Sequence, residues 1–163
     1  MKSERIQQKI FGETGPELSR MLAFWRFRNY RIVFTNGCFD VLHRGHAEYL
    51  SKAADLGDVL IVGMNTDASV KRLKGASRPV NNEQNRAFLL ASFGFVSAVV
   101  LFEEDTPEKL IESVKPDFLV KGADYNEKTI VGADFVKSYG GQIVTIDLVE
   151  GLSSSGIIDK LSS

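Results

Sequence analysis

An open, mostly parallel, doubly wound α/β sheet of five strands with helices on both faces is the fold this sequence predicts. Three observations predict it. Short apolar runs rich in β-branched residues, such as Ile32-Val33-Phe34, alternate with stretches of helical period such as Ala47-Glu48-Tyr49-Leu50-Ser51-Lys52-Ala53-Ala54. The run Val59-Leu60-Ile61-Val62-Gly63-Met64 is apolar without alternation, as a strand covered on both faces must be. The strand candidates are joined through helical stretches, the crossover that parallel neighbours require.

Taken in order, residues 1–15 carry no strong period and are expected to form a loosely held tail. Pro16 then suits the first position of a helix. Leu18, Met21, Leu22 and Trp25, continuing to Phe27 or Arg28, give that helix an apolar stripe for packing over an edge of the domain. Residues 1–29 are therefore read as a tail and packing helix, and residues 30–163 as the main domain. The first strand and its helix end at Leu56-Gly57-Asp58, with Gly57 as a left-handed cap. After the second strand, Asn65-Thr66-Asp67 caps a short helix ended by Gly75. Asn82 caps the next helix, and Gly94 stops it. Val96 to Phe102 makes the third strand. Thr106-Pro107-Glu108 opens a helix with a hydroxyl cap, a first-position proline and an acid in the first turn. Asp117 to Val120 is a short strand, a helix near 130–138 ends at Gly140-Gly141, and Gln142 to Ile146 is the last strand. Gly151-Leu152-Ser153-Ser154-Ser155-Gly156 precedes a final helix.

Composition narrows the class. The chain has 163 residues, 44% hydrophobic and 25% charged, within the usual range for one globular domain. No apolar run approaches the roughly 20 residues that span a bilayer, and the N-terminus lacks a signal-peptide core. No membrane association is expected. A single cysteine, Cys38, excludes an internal disulfide and suits a cytoplasmic protein. A net charge of −1 argues against general nucleic-acid binding, so any polyanion must be met by a local concentration of positive charge.

That concentration is sought where the first strand turns into its helix, in Thr35-Asn36-Gly37-Cys38-Phe39-Asp40-Val41-Leu42-His43-Arg44-Gly45-His46. A helix N-terminus presents unpaired backbone N–H groups and favours phosphate. Gly37 and Gly45 let the backbone approach a bulky anion. His43 and His46, three apart, share one side of the first helical turn, and they are the chain's only histidines. No third ligand of suitable spacing follows them, so a protein-bound metal is not expected. A second basic feature, Lys71, Arg72, Lys74, Arg78 and Arg86 against the single acid Glu83, reads either as a solvated face or as an anion site. Open parallel sheets bind ligands beyond the C-terminal strand ends, where these loops fall. Imidazoles set over a helix N-terminus suit charge developing on a phosphoryl group, and the reaction class read here is nucleotidyl transfer.

The motif from Thr35 to His46 resembles the signature of the cytidylyltransferase-like superfamily of nucleotidyltransferases. With Asn65-Thr66-Asp67-Ala68-Ser69-Val70-Lys71-Arg72-Leu73-Lys74-Gly75, Arg78-Pro79-Val80-Asn81, Glu104-Asp105-Thr106-Pro107-Glu108-Lys109-Leu110-Ile111, Val120-Lys121-Gly122-Ala123-Asp124-Tyr125 and the late serine run, it is similar more narrowly to heptose 1-phosphate adenylyltransferases. The resemblance covers residues 31–161. It implies a Rossmann-like fold, ATP and a sugar 1-phosphate as substrates, Mg²⁺ accompanying ATP, and a homodimer, for which the Trp25 helix offers one surface. In many bacteria this activity is one half of a bifunctional kinase–adenylyltransferase, and the stand-alone form is expected here.

Carried over, the resemblance assigns His43 and His46 to the ATP phosphates and the transition state, with Lys74, or Lys71, as a phosphate-contacting lysine. It lays Thr35, Asn36, Gly37, Cys38, Phe39, Asp40 and Gly45 along the nucleotide. Gly151, Ser153, Ser154 and Ser155 match a second phosphate-binding signature, with Ser-Ser-Ser-Gly where relatives more often carry a threonine and an alanine. Lys121, Gly122, Asp124 and Tyr125 lie near the nucleotide or sugar; Ala123 stands where relatives often have glycine. Asn65 and Asp67 serve sugar hydroxyls or cap the next helix, and Arg78 and Arg86 serve as anion contacts or supports. Cys38 is otherwise a small buried filler. Two rival readings stand beside this one: a glycerol 3-phosphate cytidylyltransferase using CTP, and a non-catalytic adenine-nucleotide-binding module.

Overall fold

The computed structural model describes residues 1–12, 15–124, 129–149 and 151–162. Among these, six strands form one sheet, all pairs parallel, in the order β1-β4-β3-β2-β5-β6. The strands are β1 (Ile10–Phe11), β2 (Ile32–Gly37), β3 (Val59–Asn65), β4 (Ala98–Phe102), β5 (Phe118–Gly122) and β6 (Gln142–Ile146). The helices are α1 (Lys2–Gln7), α2 (Pro16–Phe27), α3 (Arg44–Ala54), α4 (Asp67–Lys74), α5 (Glu83–Ser92), α6 (Glu108–Val114), α7 (Ala133–Ser138) and α8 (Ser154–Ser162).

The doubly wound α/β class is as expected, with one strand more than the five the sequence suggested. The addition is β1, which pairs with β4 through Ile10 and Phe11. The first residues are thus not a loose tail. Lys9 Nζ donates to the carbonyls of Ala91 at 3.1 Å and Phe93 at 3.3 Å, tying the segment to the end of α5. Two residues are too few to show a period of two, so composition hid this strand.

Strand residues alternate between two cores, as the pleat demands. Ile32, Phe34, Ile61, Val100 and Leu119 face α2, α6 and α7, while Val33, Leu60, Val62, Val99 and Val120 face α3 and α5. All seven residues of β3 are buried, which explains its unbroken apolar run. Leu18, Leu22 and Trp25 are the buried stripe of α2. Trp25 is 7% exposed and belongs to the chain's own core, so the outward apolar residues of that helix are Phe24 and Phe27 instead.

Two expected caps differ. Gly57 does not end α3 in the left-handed region; the C-cap is Asp55, in right-handed geometry. Gly57 is needed for closeness, since a Cβ there would lie 2.7 Å from the Arg31 carbonyl oxygen and from Val33 Cγ2. Thr106 does not cap α6 either. The cap position is Pro107, with no side-chain cap bond, and Thr106 stays exposed.

The chain winds β2-β3-β4 in one direction across the sheet and β5-β6 in the other. The strand order therefore reverses between β2 and β5, where a crevice opens beyond their C-terminal ends.

Candidate active site

A cleft of about 590 Å³ occupies this crevice. Its floor is the β2–α3 connection. Asn36, Gly37, Cys38, Phe39, Asp40, His43, Gly45 and His46 all line it, so the opening motif converges on one site. Thr35 does not reach it: it is fully buried, with its hydroxyl 2.8 Å from the Tyr49 hydroxyl, and steadies β2 against α3.

The two imidazoles lie at the start of α3. His43 is the N-cap and His46 the third helical residue, and their ring centroids are 3.9 Å apart. The His43 backbone N–H donates to His46 Nδ1 at 3.4 Å. An accepting Nδ1 puts the proton of the neutral ring on Nε2, making His46 a donor on that side. Burial, then the charges of His43 and Lys74, push the His46 pKa down to about 4, so the ring is neutral at pH 7. Burial also lowers the pKa of His43, whose buried Nδ1 has no hydrogen-bond partner among the described residues. Gly45 is required beneath it, because a Cβ there would come within 3.0 Å of His43 Nδ1 and Cε1.

Three loops complete the walls. From β5, Lys121, Gly122 and Asp124 line the cleft, and Lys121 Nζ donates to Asn36 Oδ1, joining the two strands at the reversal point. Burial lowers the Lys121 pKa to about 8. From the chain's end, Ser153, Ser154 and Ser155 line the cleft at the start of α8. Ser153 Oγ accepts the Gly156 N–H at 3.0 Å, and Ser154 Oγ donates to the Val41 carbonyl at 2.9 Å, seating α8 on the β2–α3 connection. Gly151 is beside this wall but not on it. From β3 and α4 come Asn65 and Lys74, and the charge of Lys74 acts on both His46 and Cys38. Cys38 lines the cleft with its thiol 3.8 Å from Asn65 Oδ1, and burial raises its pKa, which suits a neutral filler.

Two of the other basic residues, Arg86 and Arg78, are used inside the protein, while Lys71 is exposed. Arg86 is fully buried and donates to the Asn81 carbonyl at 3.0 Å, the Cys38 carbonyl at 2.5 Å and Asp67 Oδ1 at 2.7 Å. Asp67 is thereby committed to Arg86, while the cap of α4 is Thr66. Arg78 donates to Asp40 at 2.5 Å. Asp40 also accepts the backbone N–H groups of Val80 at 2.7 Å and Asn81 at 3.3 Å. Burial alone would raise the Asp40 pKa, but Arg78 and those N–H groups outweigh it and hold the carboxyl below its ordinary value. Asp67, Lys71, Arg78 and Arg86 are absent from the cleft lining, whereas Asn65 and Lys74 are part of it on this side. Tyr125 lies outside the described residues.

The lining also contains residues that sequence reading did not single out. Leu148, Val149 and Leu152 with Ile130 and Val131 make an apolar stretch on the β5–β6 side. Asp105, Thr106 and Pro107 stand on the opposite side, after β4. The loop after β4 carries no glycine, so nothing in its composition marks it as a place of close backbone approach. Among the described residues, no three His, Cys, Asp or Glu side chains gather so as to hold a metal ion.

Comparison with known proteins agrees with this architecture. The family model described as cytidylyltransferase-like matches residues 34–158. The chain is 59% identical over 141 residues to "Bifunctional protein HldE" of Campylobacter jejuni, covering 86% of this chain and 30% of that protein. It is 54% identical over 155 residues to the protein of the same name from Helicobacter pylori, covering 93% and 33%. The chain thus spans about a third of the length of these curated relatives. The crystal structure of the lipopolysaccharide core biosynthesis protein from Thermoplasma volcanium superposes with a TM-score of 0.62 at 30% identity, over 74% of this chain and 99% of that one. The matched segment begins within β2 and ends within α8, taking in the histidine turn and the serine turn that close on one another, and on that ground the chain belongs to the cytidylyltransferase-like family.

Proposed function

We propose that this chain transfers AMP from ATP to a heptose 1-phosphate, giving ADP-heptose and pyrophosphate for lipopolysaccharide core assembly. The observation that carries the reading is the pair of imidazoles, 3.9 Å apart at the N-terminus of α3, on the floor of a cleft at the sheet's reversal point. The heptose acceptor is supported by the motif resemblance, and the pathway by the likeness to the Thermoplasma lipopolysaccharide core biosynthesis protein.

In this reaction an oxygen of the sugar phosphate attacks the α-phosphorus of ATP. A new P–O bond forms, the bond to the β-phosphate oxygen breaks, and pyrophosphate leaves with the electron pair. A phosphate monoester is already anionic near neutral pH, its second pKa being about 6, so no general base is needed. The protein's work is alignment and stabilisation of charge on the α-phosphoryl oxygens. His46 supplies a neutral Nε2–H, Lys74 and Lys121 supply positive charge, and the first turn of α3 supplies backbone N–H groups. The serines at the start of α8 suit the β- and γ-phosphates. Mg²⁺ enters with ATP as part of the substrate, held mainly by phosphates and water. No helix among the described residues is long and apolar enough to cross a membrane. A cytoplasmic homodimer belongs to the same proposal.

The test is a pyrophosphate-release assay crossing ATP and CTP with heptose 1-phosphate and glycerol 3-phosphate. Turnover confined to ATP with the heptose is the expected result. Turnover with CTP and glycerol 3-phosphate would transfer the assignment to the cytidylyltransferase alternative, and tight ATP binding without turnover would make the chain a binding module.

Lys121 gives this mechanism a pH signature. With its pKa lowered to about 8, the ammonium of the free enzyme is charged below that pH and neutral above it. A triphosphate prefers the charged form, so kcat/KM for ATP should fall as pH rises through about 8. Bound ATP holds the proton on, so kcat should fall only at higher pH. In Lys121→Arg the basic limb of kcat/KM should vanish. A limb unchanged in that variant would detach Lys121 from the phosphates.

A further inference from the structure

Of the motifs that carry the family resemblance, Glu104-Asp105-Thr106-Pro107 received no role in the site. In the fold, Asp105, Thr106 and Pro107 form one wall of the cleft, beyond the C-terminal end of β4. This wall is braced by α4. Ser69 Oγ donates to the Glu104 carbonyl at 3.1 Å and accepts from Asn65 Nδ2 at 3.0 Å. Arg72 Nε donates to Asp105 Oδ1 at 3.0 Å, and its Nη2 donates to the Glu103 carbonyl. Thr106 contributes no cap to α6, since that position belongs to Pro107.

Which substrate this wall meets follows from the strand order. Most of the apolar lining of the cleft, Ile130, Val131, Leu148, Val149 and Leu152, lies on the β5–β6 side, against Leu73 and Pro107 on the β3–β4 side. A purine needs an apolar slot, which places the nucleoside there, with Asp124 beside it for ribose hydroxyls. The opposite side, built on β3 and β4, is left for the acceptor. Lys74 suits the acceptor's phosphate. A carboxylate does not, because like charges repel, even though Asp105 is 65% exposed and paired with Arg72. Asp105 instead fits a neutral, hydroxyl-bearing group, and a carboxylate accepts strongly from sugar O–H donors.

We propose that Asp105 and Thr106 bind hydroxyls of the acceptor's sugar and set acceptor specificity, with Arg72 as a positioning residue that orients Asp105. This rests on the adenylyltransferase reading above. Asp105→Ala and Thr106→Val should each raise the KM for the sugar 1-phosphate. A lost hydrogen bond to a charged group corresponds to about 10–100-fold in kcat/KM for Asp105, and a neutral one to about tenfold or less for Thr106. KM for ATP, the Mg²⁺ dependence and the melting temperature should stay within twofold or a few degrees of wild type. Arg72→Met should reproduce part of the Asp105 loss, and Arg72→Lys should restore part of it, still in the acceptor KM alone. A sugar 1-phosphate lacking the recognised hydroxyl should be used equally well by wild type and by the Asp105 variant. Equal losses in ATP KM, a changed Mg²⁺ requirement, or an unaltered acceptor KM would overturn the inference while leaving the reaction standing. A wild-type enzyme that binds ATP but transfers to no sugar phosphate would overturn the reaction, and this inference with it.

Discussion

His46→Ala should lower kcat by about 10²–10³-fold, the loss typical of removing one preorganised donor from a developing oxyanion. The His46 ring sits against Phe39, centroids 5.4 Å apart, and against His43, so its orientation is fixed before substrate arrives. Its pKa of about 4 keeps it neutral across the working pH range. A neutral donor in the reduced dielectric of a cleft needs no reorganisation at the moment of reaction, the condition under which such a donor contributes most. The substitution also removes the acceptor for the His43 N–H. That is a helix-cap loss of about 1 kcal/mol, small beside the stability of a domain with two packed cores. Circular dichroism and the melting temperature should therefore move little while turnover collapses. Pyrophosphate release at saturating ATP and acceptor is the measurement; near-wild-type turnover would remove His46 from the mechanism.

The sequence made the floor of the cleft legible because backbone geometry and chemistry coincide there. An apolar strand, a glycine turn and two histidines at helical spacing fall within the fifteen consecutive residues from Ile32 to His46, so no long-range information was needed. The basic run from Lys71 to Arg86 was ambiguous for the opposite reason. Whether a guanidinium faces solvent, phosphate or a buried carboxylate depends on partners distant along the chain. Asp40 lies 38 residues before Arg78, and Asp67 lies 19 before Arg86. Local charge counting cannot see either pairing. The β4 wall is hidden in the sequence because Thr106-Pro107-Glu108 has the form of a helix start, a local role that explains these residues without a ligand, and only the fold sets Asp105 and Thr106 on the cleft. Strand β1 escaped because its two residues are recruited by the edge of β4 rather than by their own pattern.

The pairing of Arg86 supports the second large effect, this time on stability. Arg86→Leu should cost about 3 kcal/mol, the lower end of the range for breaking a buried ion pair by removing one partner. The lower end applies because the Asp67 side chain is 30% exposed and can recover some hydration, whereas Arg86 is wholly enclosed. Two backbone carbonyls, Cys38 and Asn81, lose their donor in the same substitution, and leucine brings nothing to replace it. Arg86→Lys keeps the charge but not the fork of the guanidinium, and cannot reach the three acceptors together. It should lie between leucine and wild type. Urea unfolding reads the difference as a lowered midpoint at constant slope. Because Arg86 bridges the loop before α3, the 81 turn and the start of α4, the surviving folded enzyme should also lose turnover, with Lys74 and the histidine turn no longer held in register. A wild-type midpoint in Arg86→Leu would mean that these three loops hold their places without the guanidinium.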